Sequence, residues 1–366
     1  MKKIFLIVII AVLFLFTFQI NSFSYEEINE TEELWNSVDD TTKDYLYELG
    51  IDELNFEKLF ELTPLRVMEF ISKLILNKAS SLSNKLIIVF VVLILSAITS
   101  TFLKKTNKLE NVIDYVCVLI IFSFVMDSIG QLLSDAATCI KTSTIFIHTY
   151  LPVMTGIIIA SKSPNLAITY NSFSLILSNI ISFFADKLFM PIISILFSLN
   201  IISSFSSEDF QIRLLKTIRK IITIILSLFS TVFTGMLTTQ SLLATSSDSI
   251  VIKGIRFASG TFIPIVGGNI GEAVSSVMSS FLIMKNTLGI FIIFVIILIN
   301  LPVMIELLVW YFFFSLCSIF SSLFYMKNMT DILDGLASTV SLLNVILFFI
   351  TFVLVISTAI VIVMGK

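Results

Sequence analysis

Four ionisable side chains stand in strongly apolar surroundings: Asp127, Glu272, Lys285 and Glu306. At membrane depth each would cost at least ~2.5–3.5 kcal/mol, so such groups normally face a bundle interior or a water-filled cavity. Three uses stay open for them. They can pair structurally, they can line an aqueous path in an assembly, or they can relay protons, the last least favoured because carriers usually show a denser acidic chain. The single histidine, His148, cannot form a metal site alone, and the role expected of it is an interhelical hydrogen bond or an interfacial position. Cys117, Cys139 and Cys317 are far apart, odd in number and without a C-x-x-C, which points to small buried side chains rather than a disulfide framework or thiolate metal site. No H-E-x-x-H, G-x-x-x-x-G-K-[ST] or G-x-G-x-x-G occurs, and Gly267-Gly268 followed by Gly271 does not fit the dinucleotide pattern. The expectation is a protein without catalytic residues, cofactor or metal.

The densest cluster of unusual residues is Ile252 to Gly289, rich in glycine and serine and carrying Lys253, Arg256, Glu272 and Lys285. Read as a helix after Pro264, it sets Gly267, Gly271, Ser275 and Ser279 on one stripe. Gly268, Glu272, Ser276 and Ser280 form the neighbouring stripe, with Ile270, Val274, Val277, Met278 and Phe281 on the other side. Small residues four apart mostly mark close helix packing. Packing accounts well for Gly267 and Gly271. It accounts less well for Glu272, whose carboxylate needs a partner or water beside such a seam, so Pro264, Gly267, Gly268, Gly271, Glu272, Ser275, Ser279 and Lys285 are expected to pack against other helices or line a path.

The elements that must position these residues are membrane helices. Of 366 residues 57% are hydrophobic and only 13% charged, about half the charged share of a soluble domain. The chain is therefore read as an all-α, polytopic helical membrane protein. Met1-Lys2-Lys3, an apolar run of 13 residues from Ile4 to Phe16, and Ser22-Phe23-Ser24 read as a secretory signal peptide over residues 1–24. Residues 25–84 carry 14 acidic against 5 basic side chains and read as a small, acidic, extracytoplasmic helical segment that docks on the membrane domain or a partner. The membrane domain is placed at 85–366.

Within it the apolar runs predict about nine spans: 86–103, 112–133, 145–161, 166–184, 188–205, 221–243, two from a hairpin in 290–324 breaking near Asn300, Pro302 and Glu306, and 338–364. Lys104, Lys105 and Lys108 place the end of the first span in the cytoplasm. Arg213, Lys216, Arg219 and Lys220 form a second basic cluster, and an even number of crossings must separate the two. Four spans satisfy that. Whether 262–284 crosses the bilayer decides on which side Lys366 ends.

Asp248, Lys253, Arg256, the run Phe262-Ile263-Pro264-Ile265-Val266-Gly267-Gly268, Lys285-Asn286 and Gly289 together resemble the most recognisable block of the stage III sporulation protein AE family. Tyr150-Leu151-Pro152 and Phe233-Thr234-Gly235 are similar to two further landmarks, so the resemblance covers nearly the whole chain. The chain departs from the pattern at Ser161-Lys162-Ser163-Pro164 and at Gly271-Glu272-Ala273, where the acid is kept in kind. The resemblance implies a multi-pass protein of the mother-cell membrane around the engulfed forespore. It implies an integral subunit of a secretion-like channel, or feeding tube, needed for late forespore development. The partners it implies are the other stage III proteins encoded with it, a separate ATPase that supplies energy, and a forespore membrane protein across the intermembrane space. It attaches no enzymatic activity to this component. Without the resemblance, a stand-alone permease for a small solute, with Asp127, Glu272 or Glu306 in its path, is the alternative, and an assembly factor with no path of its own is a third reading.

Overall fold

The computed structural model describes residues 35–52, 56–59, 61–103, 107–160, 164–202, 214, 216–233, 235 and 267–363, with the backbone but not the side chains of 56–57, 100–103, 107–115, 164, 201, 267–285, 361 and 363. Among the described residues every regular element is helical. α1 (Asp40–Leu49) is followed by a short 3-10 turn and by α2 (Pro64–Leu103), α3 (Asn107–Ala160) and α4 (Pro164–Phe184). A π turn (Ala185–Phe189) leads into α5 (Met190–Ile202), then come α6 (residues 216–233), α7 (Gly267–Leu323) and α8 (Lys327–Val363). The signal-peptide region and the Ile252–Val266 part of the glycine-rich stretch lie outside the described residues.

Five described segments are long and apolar enough to cross a bilayer, and they are longer than the spans expected from hydropathy. The two spans expected at 112–133 and 145–161 are one helix, α3, of 54 residues or about 81 Å. Residues 134–144 contain no glycine or proline, so nothing there forces the chain to turn. The spans expected at 166–184 and 188–205 likewise form one rod, with Asp186 and Lys187 exposed in the π turn. Pro191 follows that turn; its ring displaces the carbonyl four residues back, and widening the preceding turn accommodates it. The even count between the two basic clusters is thus met by two long rods where four short spans were expected.

The expected hairpin at Asn300, Pro302 and Glu306 does not form either: α7 runs unbroken for 57 residues with Pro302 inside it. The return comes later, in a tight turn where Tyr325 adopts a left-handed φ of 59° and Met326 N–H bonds Ser321 O at 3.1 Å. Lys327, Asp331 and Asp334, which lie between the spans expected at 290–324 and 338–364, therefore occupy the first turns of α8. The boundary drawn at 84/85 falls inside α2, whose polar first half continues into its apolar second half without a break.

α7 is the centre of the bundle. Of its most apolar stretch 72% is buried, against 28% for α2 and 39% for α3, so the other helices cover it and α2 and α3 turn their apolar faces outward. α8 packs antiparallel along it: Asn344 meets Met304, and at the far end a Cβ on Gly289 would lie 2.6 Å from Ile362. α2 runs parallel to α7, with Lys78 against Glu306 and Phe90 against Phe320. α3 runs antiparallel to it, with Cys139 and Ser143 against Ile299 and Asn300 and Met154 beside Gly289. The α4–α5 rod descends along α8 and α6 climbs back beside it, Phe229 touching both Phe184 and Phe349.

The acidic N-terminal segment docks on this bundle. Asp39 caps α1 by accepting the Thr42 N–H at 3.1 Å, and Gly50 ends it at φ 83°, a conformation that glycine adopts without strain. Leu46, Leu49 and Ile51 are buried, and Trp35 stacks on Phe291 of α7 with ring centres 6.3 Å apart. Truncating a buried tryptophan costs ~3–5 kcal/mol, more than such a short docked segment can lose. Trp35→Ala is expected to release residues 35–62 while leaving α2–α8 folded. Limited proteolysis of the purified protein should then cut before Pro64 several-fold faster, with the membrane-embedded fragment unchanged in size.

Candidate functional site

Halfway along α7 the apolar packing is interrupted by a belt of polar side chains. Glu306, 14% exposed, takes an ion pair from Lys78 Nζ of α2 at 2.5 Å. Asp135 of α3 lies within electrostatic reach of both. On the same face of α3, Cys139 Sγ donates to Ile299 O at 3.3 Å, and Ser143 Oγ accepts from Asn300 Nδ2 at 2.8 Å. Asn300 Nδ2 also bonds Ile296 O, and Asn344 Nδ2 of α8 bonds Met304 O at 3.3 Å. The carbonyls of Ile296, Ile299 and Met304 thus take side-chain donors on the turns around Pro302, which itself has no N–H to give.

The docked α1 reaches this belt. Tyr45 packs edge-on against Phe70, burial pushes its phenol above the ordinary tyrosine value, and the nearby Lys78 ammonium pulls it the other way. Glu48 of α1 also pairs with Lys73 of α2.

A second polar cluster joins α5, α6 and α8 nearer the other end. Asn200, 1% exposed, bonds Leu196 O and Thr339 Oγ1, both at 2.8 Å. Arg219 reaches in with Nη2 and donates to Gly335 O at 3.0 Å. Gly335 is required by this approach, since a Cβ there would run into the Asn200 side-chain oxygen. A third contact links Tyr150, Tyr170 and Thr358 through their hydroxyls, at 3.0 and 3.3 Å.

The expected site residues fall in different places. Glu306 is inside the bundle, as a membrane-depth carboxylate must be, but paired. Asp127 is not inside: its side chain is 87% exposed on the outer face of α3, where Lys85 reaches to 3.4 Å. The reason is phase, because Ile121, Val125, Ser128 and Leu132 take the inward positions and Asp127 falls between them. Gly267, Gly268, Gly271, Glu272, Ser275, Ser279 and Lys285 lie on the first turns of α7, with their side chains outside the described residues, and Pro264 precedes them outside the described backbone. His148 makes the interhelical bond expected of it, to Ser178 Oγ at 2.7 Å. Cys117 and Cys317 are buried and form no disulfide, and no metal-binding group of three or more appears among the described residues.

Lys78, Asp135, Asn200 and Asn344 were not singled out from the sequence, and Arg219 was read only as part of a basic cluster. Asp135, Cys139 and Ser143 are spaced by four, a polar stripe that could have marked one wall of the belt. Lys78 carried no such mark, being one of several charges in an acidic segment.

Breaking a buried pair strands the remaining charge and costs ~3–5 kcal/mol, whereas replacing both members is often neutral. Glu306→Met alone is therefore expected to destabilise the bundle by about that amount, and the Lys78→Met/Glu306→Met double variant to recover most of it. Thermal unfolding in detergent measures both. Similarly, Gly335→Ala should cost ~1–3 kcal/mol by overpacking against Asn200, and Asn200→Ala added to it should relieve the clash.

The comparisons with known proteins agree with the family resemblance read in the sequence. The family model described as Stage III sporulation protein AE matches residues 41–365. A curated relative, "Stage III sporulation protein AE" of Bacillus subtilis (strain 168), is 27% identical over 172 residues. That alignment covers 47% of this chain and 43% of the relative, so the chain is matched over less than half of the relative's length. No solved structure matches. A profile spanning nearly the whole described bundle, α1 to the end of α8, places this helical, membrane-type chain in the stage III sporulation protein AE family.

Proposed function

We propose that this protein is an integral membrane subunit of a sporulation-specific channel or secretion-like complex, in the mother-cell membrane facing the forespore, without catalytic activity of its own. The complex would include the other stage III proteins encoded with it, a separate ATPase, and a forespore membrane protein across the intermembrane space.

The observation that carries this reading is the state of the polar groups. A stand-alone carrier needs ionisable side chains free to meet solute along a path. Here Glu306 is held by Lys78, Asn300 by Ser143, and Arg219 by Asn200, Gly335 and Thr339, while Asp127 faces outward. These contacts fix helices to one another, which suits a rigid subunit of an assembly. Family membership supplies the process, sporulation.

In this reading the glycine-rich start of α7 packs against other subunits and borders the transport path, as its small and polar residues suggest. Gly267→Leu and Gly271→Leu should each lower spore yield by orders of magnitude while the protein still accumulates in membranes. Co-purification from sporulating cells should recover the other stage III proteins with the native chain and lose them with the variants. Normal spore yield in both variants would overturn the role given to the stretch. Solute uptake by proteoliposomes holding this chain alone would favour the permease.

A further inference from the structure

Arg219 is a half-buried cation whose charge is not answered by the helices around it. Nη2 donates only to neutral oxygens, Gly335 O at 3.0 Å and Asn200 Oδ1 and Thr339 Oγ1 at 3.4 Å. Nε is enclosed and has no acceptor. Among the described residues no carboxylate lies within ion-pair distance of it, and none offsets its burial electrostatically. Asp331 and Asp334 of α8 are exposed, and Asp334 accepts from Ser318 Oγ at 2.5 Å instead. Asn200 and Thr339 are themselves buried, so α5 and α8 hold the guanidinium in one orientation. Enclosed charges are normally paired. The counter-charge for Arg219 must come from outside these residues.

The first turn of α6 adds more positive charge. Lys216 and Lys220 are exposed, and among the described residues neither has a carboxylate within ion-pair distance. Positions three and four apart are neighbours on a helix, so Lys216 shares one side with Arg219 and Lys220. Three cations within one turn repel one another unless an anion lies among them. The residues that follow are of another kind. Ile224 and Leu228 continue the row of Lys216 and Lys220 in steps of four and are exposed, as is Ile221. One face of α6 is therefore cationic at its foot and apolar above it. The foot lies where α5 ends and the apolar run of α6 opens, which is the level that suits a lipid headgroup.

We propose that Arg219, Lys216 and Lys220 form a binding site for the phosphate of an anionic phospholipid, with an acyl chain lying along Ile224 and Leu228. A planar guanidinium with donors to spare matches phosphate oxygens, and the two ammonium groups add charge that favours an anionic over a zwitterionic headgroup. Basic pockets between membrane helices recognise anionic headgroups by the same chemistry. Free phosphate shares that chemistry but has nothing to lay on the apolar row, so the shape of the face selects the lipid. The inference depends on the packing of α5, α6 and α8, not on which complex the chain serves.

Thermal unfolding of the full-length protein in neutral detergent tests it, during titration with phosphatidylglycerol, phosphatidylcholine or inorganic phosphate. Phosphatidylglycerol should raise Tm saturably, and the other two should not. Lys216→Gln/Lys220→Gln changes only exposed side chains, so without lipid it should unfold as the native protein does. It should need about thirty-fold more phosphatidylglycerol for half the effect. Arg219→Gln should abolish the shift, measured from its own lipid-free Tm. Lys141→Gln/Lys187→Gln removes two exposed lysines elsewhere and should leave the titration unchanged. Equal shifts from phosphatidylglycerol and phosphatidylcholine overturn the proposal, as does a shift reproduced by inorganic phosphate. So does a response that Lys216→Gln/Lys220→Gln keeps in full, or one that Lys141→Gln/Lys187→Gln weakens equally.

Discussion

A polar group inside an apolar helix bundle has no water to fall back on, and α7 is where that constraint bears hardest. It is the most enclosed of the five segments able to cross a bilayer, and it carries the buried Asn300 and the largely buried Glu306. Each neighbour brings a polar partner to it. α2 brings the Lys78 ammonium, α3 brings Cys139 and Ser143, and α8 brings Asn344. The register of three helices against the fourth follows from where those partners lie, since sliding any helix by one turn would strand a charge or an amide at a cost of several kcal/mol.

The same belt ties the acidic N-terminal segment to the apolar helices. α2 begins in that segment and ends in the apolar core, so Lys78 connects one to the other as a single rigid rod. α1 is held to it by the Glu48–Lys73 pair and to α7 by the Trp35–Phe291 stack. The chemistry of the belt is therefore positional. Its ionisable groups neutralise and orient one another and so fix the helices in place.

Family membership and architecture inform each other. The family profile begins at residue 41 and ends at 365, so it takes in the docked segment as well as the bundle. A solitary transporter would have little use for a well-capped helix packed against its central helix.

Composition alone determined that this is a helical membrane protein, because so few charged residues cannot cover a water-exposed surface of this size. The glycine-rich block carried the family, and the outward or inward role of His148 and the cysteines followed from their isolation. Span boundaries were another matter. Hydropathy assigns a turn wherever an apolar run exceeds one bilayer or meets a charge, but a turn also needs residues that stop a helix, and 134–144 and 185–189 have none that suffice. Pro302 looked like such a stop, yet α7 continues through it as one helix enclosed by its neighbours. Asp127 and Glu306 looked alike in sequence and differ entirely in place, since helical phase decides which way each one points. The sequence determined which residues prefer an apolar setting. Only the tertiary structure decided which polar groups meet, because partners such as Lys78 and Glu306 are 228 positions apart and nothing local records the pairing.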